Sequence, residues 1–509
     1  MYKDIEKYIK FSAGRYKKII IYGAGIWSER IVDWLSQDGD NKQLLAVVDQ
    51  FGSSKIGKKI GKYTVEVFSA KHYDYDTIII ASYTYESIIE ERILKSLEKR
   101  KSKPEFIRIS DAFPQKVYTK AEYVEYVTYL QDNYCFDKKE FVDINSDVYI
   151  RQHDDPKIIA WYLPQYYQID INDKFHGKGF TEWTNVSKAI PLFKGHKQPH
   201  IPYDLGFYRL EDVNTLRRQA ELARLYGVYG FCFHYYWFSG QRIMEKPLNT
   251  LLKHKEIDIS FCINWAMNNW NCTWGADEYD LIYEQKYQPE DAKEFIKDVA
   301  PLFDDERYIK IDGKPVISFY WIASIGIENF KEMINVFREE VKRYGFSDIY
   351  VMVCDCEHFD FDVAKIGADA LVEYAPNTIS RRFREFKVDG YIDPRFKGKI
   401  WDAKEFLSSK RYMNPVNAKE YYRSALVGFD NTARRLKLSS WIIYGLDSDI
   451  YKKWLKDLIL ESKKIHTPEK NYVFVASWNE WAEGSHLEPD LRYGYAYLKA
   501  TREAIEECR

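Results

Sequence analysis

From Lys157 to the C-terminus the chain repeats one pattern eight times: a short apolar run, a polar edge, and an amphipathic helical stretch. The runs are IIAWYLPQYY, GVYGFCFHYYWF, ISFCINWAMNNW, PVISFYW, IYVMVCDCEH, ADALVEYAP, SALVGFDN and NYVFVASWNEW. Stretches such as LEDVNTLRRQAELARLY, QPEDAKEFIKDVAPLF, IENFKEMINVFREEVKRYG and LDSDIYKKWLKDLILESKK lie between them. Near-continuous apolar strands are buried on both faces, and strands that alternate with helices pair in parallel. An open doubly wound sheet satisfies the same alternation, but a count of eight favours closure. The fold class is therefore α/β, with a (β/α)8 barrel over residues 157–509.

In such a barrel the C-terminal edge of the strands carries the chemistry. The first run brings Tyr162, Gln165 and Tyr166 to that edge, and the loop after it adds Glu182 and Trp183 from GFTEWTNV. The second brings His234, Tyr235, Tyr236 and Trp237; the third Asn264, Trp265, Asn268 and Trp270; the fourth Tyr320 and Trp321. The seventh ends in Asp430 and Asn431, the eighth in Trp478, Asn479, Glu480 and Trp481, followed by Glu483. Any one of these aromatics is as readily core. Together, aromatic rings, amides and two carboxylates describe a cleft for sugars, whose C–H faces stack on rings while their hydroxyls take hydrogen bonds. Composition agrees: 17% of residues are aromatic, with 42 Tyr, 29 Phe and 14 Trp.

The stretch SWNEWAEGSHLEPD carries the sharpest signal. Breaking or making a glycosidic bond takes one carboxylic acid to protonate the leaving oxygen and one carboxylate to act near the anomeric carbon. Glu480 and Glu483 are spaced i, i+3, which is also the spacing of one solvated helical turn; their place at the end of the eighth run favours the catalytic pair. Cys354, Cys356 and His358 stand at i, i+2 and i+4, one face of a strand, and read as barrel packing rather than as a zinc site. No metal is expected.

The first third has a different rhythm. KKIIIYGAGIWSERIVDWL is a strand, a glycine turn and a helix; LLAVVD and DTIIIAS follow as strands, and ESIIEERILKSLEKR as a helix. This is the start of a Rossmann-like sheet over residues 1–112, with Gly23, Gly25, Asp49 and Ser82 as candidate nucleotide contacts. The third position of the glycine fingerprint is Ser28, so a turn that only packs strand on helix fits equally well. Residues 113–156 read as a helical connector.

The net charge of −2 argues against a nucleic-acid partner. Seven scattered cysteines, a polar start and the lack of an 18-residue apolar run predict a cytoplasmic bacterial protein with reduced thiols and no membrane span.

Two resemblances follow from these motifs. The front segment resembles the small Rossmann-like domain of sugar O-acetyltransferases, which implies a nucleotide-sugar as its ligand. WNEWAEG resembles the signature of glycoside hydrolase family 99, endo-acting α-mannosidases and α-mannanases. AWYLPQYY, GFTEWTNV, GFCFHYYWF, INWAMNNW, GFDNTAR and SWNEWAEGSHLEPD together resemble the WbsX-like family, relatives of that barrel found in bacterial O-antigen and capsule clusters. The resemblance implies a retaining mechanism without a required cofactor, in which Glu480 deprotonates the sugar 2-hydroxyl and Glu483 serves as acid, then base. Where family 99 commonly has a histidine before the second glutamate, this chain has Ala482, which leaves the substrate preference open.

The expected partner is an oligosaccharide or polysaccharide, with a lipid-linked form included; the oligomeric state is not legible. Three readings stay open: cleavage or transfer of an α-hexosyl, mannose-like unit; nucleotide-sugar-dependent transfer with the front domain as donor site; and glycan binding without turnover.

Overall fold

The computed structural model describes residues 2–37, 43–50, 53–69, 74–82, 86–97, 104–112, 120–122, 124–125, 127–128, 140–193, 195–271, 281–287, 289–356, 362–380, 398–408, 420–435 and 440–509. Two compact units divide the chain, one built on residues up to Glu125 and one on the chain from Tyr126 onward.

In the first unit the strands are β1 (Lys18–Tyr22), β2 (Gln43–Asp49), β3 (Glu66–Val67), β4 (Thr77–Ile80) and β5 (Glu105–Arg108). They form a parallel sheet in the order β3-β2-β1-β4-β5. The period of two along β1 sorts its isoleucines. Ile19 and Ile21 join Ile5, Ile9, Ile31 and Trp34 of the helices Tyr2–Ala13 and Ile26–Gln37 on one face. Ile20 joins Ile89 and Ile93 of the helix Glu86–Ser96 on the other. Burial on both faces is why these strands carry no polar alternation.

Much of the expected connector helix, including residues 129–139, and also His358, lie outside the described residues. Residues 140–156 are irregular instead of helical. Side chains and turns hold them: Asn145 N–H donates to Tyr226 Oη at 2.8 Å, and Asp155 takes Arg509 Nε at 3.0 Å.

The second unit closes a ring of eight parallel strands. They are β6 (Lys157–Tyr162), β7 (Val228–Phe238), β8 (Ser260–Ala266), β9 (Lys314–Tyr320), β10 (Tyr350–Cys354), β11 (Ala370–Val372), β12 (Tyr421–Tyr422 and Ser424–Leu426) and β13 (Tyr472–Ala476). Each pairs with its neighbours in sequence. Closure falls on β12, whose first half pairs with β11 and whose second half pairs with β13, which in turn pairs with β6. All eight apolar runs are strands of the ring, and the (β/α)8 expectation holds.

Helices Val213–Leu225, Lys246–Lys253, Pro289–Phe303, Ile327–Glu340, Ser448–Ile465 and Ala496–Glu506 cover the outside. After β10 the described crossover is a single 3-10 turn, Val363–Ile366. A small sheet joins Lys399–Asp402, which precedes β12, to Trp441–Tyr444 and Phe429–Asp430, which follow it.

Among the described residues, no helix is long and apolar enough to cross a membrane. The described cysteines, Cys232, Cys262, Cys354, Cys356 and Cys508, are free thiols.

Candidate active site at the mouth of the barrel

The chain leaving β13 makes a tight hairpin in which Asn479–Glu480 pairs antiparallel with Ser485–His486. Its turn is the 3-10 segment Trp481–Glu483, with Glu480 as N-cap and Gly484 at φ 58° as C-cap. In a 3-10 turn the side chains at i and i+3 eclipse, so Glu480 and Glu483 leave the backbone on one side. Gly484 is required twice over. A Cβ there would stand 3.2 Å from the Asp430 Cβ, in a backbone region L-residues rarely enter.

Both flanks of Glu480 are fixed. The Asn479 side chain accepts from Leu163 N–H at 2.8 Å and donates to Leu163 O at 3.0 Å. Tyr166 Oη donates to Asn479 O at 2.7 Å and accepts from Trp481 N–H at 3.0 Å. The loop after β6 thus clamps the backbone that carries the glutamate.

A guanidinium holds the acids together. Arg434 Nη2 donates to Glu480 Oε2 at 2.6 Å and Nη1 to Glu483 Oε1 at 2.8 Å, while Nε and Nη2 reach Glu182 Oε2 at 3.3 Å. Side-chain exposure is 8% for Arg434, 0% for Glu182, 10% for Glu480 and 25% for Glu483, so only Glu483 opens appreciably to solvent. One cation faces three carboxyls in a site of low dielectric. Burial pushes the Glu480 carboxyl up to about 8, with Arg434 opposing and Glu483 and Glu182 adding to the rise. Glu182 is also raised, chiefly by burial. A buried carboxylate cluster with one counter-ion keeps a proton at neutral pH.

Around the acids stand inward-facing residues of the strand ends. Gln165 Nε2 donates to Tyr236 Oη at 3.0 Å, and Trp270 lies 6.1 Å from the Tyr236 ring. His234 sits between Asn264 at 3.2 Å and Tyr374 Oη at 3.3 Å, and burial drives it down to about 4, leaving a neutral ring. Tyr320 packs on Tyr374 with ring centroids 4.7 Å apart. Exposed Trp321 follows Tyr320 at the rim with φ 63°.

Several residues expected in the cleft are elsewhere, for one physical reason: consecutive strand residues point to opposite faces. Tyr235, Trp237 and Trp265 alternate with His234, Tyr236 and Asn264 and turn out to the helix layer. There Tyr235 Oη bonds Asp298, and Trp265 stacks on Phe295 at 4.1 Å and meets Trp237 edge-on at 5.4 Å. Tyr162 is core, bonded to Gln219 at 2.8 Å. Trp183 donates Nε1–H to Tyr208 O at 2.8 Å and packs against Tyr166 and Trp481. Asp430 and Asn431 are pegs for the turn that carries Arg434. Asp430 accepts from His196, Gln198 and Thr432, and Asn431 Oδ1 accepts from Trp441 N–H at 2.6 Å.

Trp478 and Trp481 are anchors as well. Their indole N–H groups donate to the two oxygens of Glu488, at 2.9 and 2.7 Å, and Gln219 Nε2 and Tyr208 Oη complete the set at 2.6 and 2.8 Å. Glu488 therefore binds the hairpin into the barrel. Glu488→Ala, which strands four buried donors, is expected to cost about 2–3 kcal/mol in denaturant unfolding, with Glu488→Gln intermediate.

Sequence reasoning missed Arg434, Tyr374 and Glu488. Tyr374, two residues past β11, obeys the same strand-end rule as the rest. Arg434 closes the quoted motif GFDNTAR, but nothing local separates a buried arginine from a surface one.

In the first unit, Gly23 adopts φ 101° and its N–H donates to Val48 O at 2.8 Å. Ser28, at the third glycine position, is buried and its hydroxyl bonds Gly25 O at 2.6 Å. Asp49 accepts from Gln50 N–H at 2.7 Å and Ser53 Oγ at 3.2 Å, and Ser82 follows β4. These contacts tie the glycine turn to itself and to β2, and Asp49 to the turn that follows it.

Known proteins resemble both parts of the chain. The family described as Glycosyltransferase WbsX matches residues 158–501, and the family C2185-like, N-terminal, matches residues 15–104. The protein WxcX of Xanthomonas campestris pv. campestris, in strains B100 and ATCC 33913, is 33% identical over 356 residues, 68% of this chain. The chain spans about half the length of these relatives, 49%. Among solved structures, the GH99 endo-alpha-mannosidase of Bacteroides thetaiotaomicron in complex with bis-tris-propane is 16% identical. It covers 69% of this chain and 97% of its own, with a TM-score of 0.44. A second structure of the GH99 endo-alpha-mannosidase from Bacteroides thetaiotaomicron is 15% identical and covers 69% of this chain and 97% of its own, with a TM-score of 0.42.

Proposed function

The chain belongs to the WbsX glycosyltransferase family, and from that premise we propose that its barrel acts on an α-hexosyl, mannose-like linkage through Glu480 and Glu483. The observation that carries the reading is the shared guanidinium: Arg434 bonds both carboxyls, 2.6 and 2.8 Å away, at the strand-end mouth where barrel active sites lie.

In the proposed reaction Glu480 takes the proton of the sugar 2-hydroxyl as that oxygen attacks the anomeric carbon. The bond from that carbon to the leaving oxygen breaks, and Glu483 supplies the proton the leaving oxygen needs. The resulting 1,2-anhydro sugar is opened at the anomeric carbon by an acceptor hydroxyl, whose proton passes to Glu483, while Glu480 returns its proton to the 2-oxygen. Two inversions give net retention. Acceptor hydroxyl and water differ only in the last step, and the family's description as a glycosyltransferase supports transfer to an acceptor; we propose that this transfer serves the assembly of a surface polysaccharide. Tyr236, Tyr320, Tyr374 and Trp270 offer the aromatic faces for the sugar, and exposed Trp321 a further face at the rim.

The test is product analysis with α-mannosidic oligosaccharides, free and lipid-linked, and with nucleotide-sugars. Retained anomeric configuration from an oligosaccharide donor supports the proposal. Inversion, or turnover of nucleotide-sugars alone, rejects it, the latter in favour of a donor site in the N-terminal unit. Glycan binding with no turnover under any condition also rejects it.

The pH dependence has a stated sign. With its carboxyl near 8, Glu480 is largely protonated at pH 6 and must lose that proton to act as the base. The kcat/KM of the free enzyme is expected to rise from pH 6 toward an inflection near 8. A fall over that range would exchange the roles of Glu480 and Glu483.

A further inference from the structure

A cavity of about 270 Å³ lies beside the hairpin, lined by His200, His486, Asp490, Gly484, Asp430 and Tyr444 among others. Neither Glu480, Glu483, Glu182 nor Arg434 is in its wall. On one side of it, His200, His486 and Asp490 bring one donor atom each to within 4.8 Å of one another. We propose that these three residues bind a divalent transition-metal ion, zinc by the character of the donors, with the remaining coordination position facing the cavity.

Three observations support the assignment. The first is spacing. His200 Nδ1 lies 2.9 Å from His486 Nε2, and His486 Nε2 lies 3.8 Å from Asp490 Oδ2. Donor atoms of a tetrahedral zinc site stand about 3.3 Å apart, between these two values.

The second is the proton on His486. Its Nδ1 faces Glu488 O at 2.9 Å, and a carbonyl only accepts, so Nδ1 carries the hydrogen and Nε2 presents a lone pair. A backbone carbonyl holding the far nitrogen of a ligand histidine is the usual support of such sites. Asp490 is oriented in the same way: its Oδ1 accepts from Arg492 N–H at 2.8 Å and Tyr493 N–H at 2.6 Å, which turns Oδ2 toward His486.

The third is ligand chemistry. Two neutral imidazoles and one carboxylate, with an open fourth position, suit zinc. Metal binding replaces the hydrogen bond between the two rings, and the His200 proton moves from Nδ1 to Nε2.

The ion would join two loops that the barrel brings together, the segment after the helix Glu182–Val186 and the hairpin carrying both glutamates. His486 is three residues from Glu483, and its ring stacks on Trp481 at 3.8 Å. The role inferred is positional: the metal stiffens the hairpin from the side opposite Arg434, and no bond to substrate is assigned to it.

The probe is Zn²⁺ itself, on the untagged chain of 509 residues. Metal analysis after zinc loading and gel filtration is expected to give about one zinc per chain, and cobalt substitution a visible spectrum of tetrahedral intensity. His200→Asn and Asp490→Asn are each expected to weaken zinc roughly 100-fold or more. Because His486 packs on Trp481, the test does not depend on a His486 variant. A wild-type chain that retains no zinc overturns the proposal, whatever the variants do. So does equal zinc binding by the wild type and both variants, which would place the metal elsewhere.

Discussion

Glu480→Gln is expected to lower kcat/KM by about a hundred- to ten-thousand-fold, the range lost with a general acid or base. The unfolding free energy should barely move, because glutamine keeps the shape of the side chain and relieves a crowded group of carboxylates. Glu483→Gln is expected to lose a similar factor on natural linkages, with a difference that separates the two roles. An aryl glycoside whose leaving group needs no proton should restore much of the first step in Glu483→Gln and none of it in Glu480→Gln. Equal activity of both variants and the parent on every substrate would remove the carboxylate mechanism. Kinetics on the two substrate classes, beside a thermal melt of each variant, decide the matter.

The second large effect concerns Arg434. Arg434→Met keeps the length and apolar stem of the side chain but leaves Glu182, Glu480 and Glu483 without their shared cation. Removing one partner of a buried ion pair costs about 3–5 kcal/mol, and here three carboxyls lose the same partner. The sign of the pH dependence follows from linkage. Without Arg434 the Glu182 and Glu480 carboxyls are held still further above their unfolded values, so the native state binds more protons than the unfolded chain. Stability of the variant then falls as pH rises from about 5 to 8, and its deficit against the wild type grows in the same direction. Urea unfolding at pH 5.5 and pH 8 measures it. An equal deficit at both values would show that Arg434 contributes packing and not charge.

The two predictions draw on different levels of organisation, and so does the legibility of the site. The barrel was readable because each strand is buried on both faces and its run of apolar residues is local. The i, i+3 glutamates were readable because their spacing and their place after the eighth run are also local. The parity of the strand ends was not separated. His234 and Tyr236 face the mouth while Tyr235 and Trp237 face the helices, and a fully apolar strand shows no alternation by which to assign its inward face. Trp478 and Trp481 show the same difficulty in a loop. Their neighbourhood to the acids suggested contact with sugar, but their indole N–H groups are held by Glu488.

By itself, then, the sequence determined the number and order of the βα units, the doubly buried strands of the front sheet, and the place of the acids after the eighth run. Each depends on a period or a spacing within a few residues. The tertiary structure decided which side chains meet. Arg434 reaches Glu182, Glu480 and Glu483 across 252, 46 and 49 residues of chain. His200 faces His486 across 286. Such encounters are set by ring closure, which brings the loops after β6, β12 and β13 to one edge, and no local pattern encodes them. SWNEWAEGSHLEPD carries the acids; the closed barrel supplies the cation that holds them and the burial that raises the Glu480 carboxyl.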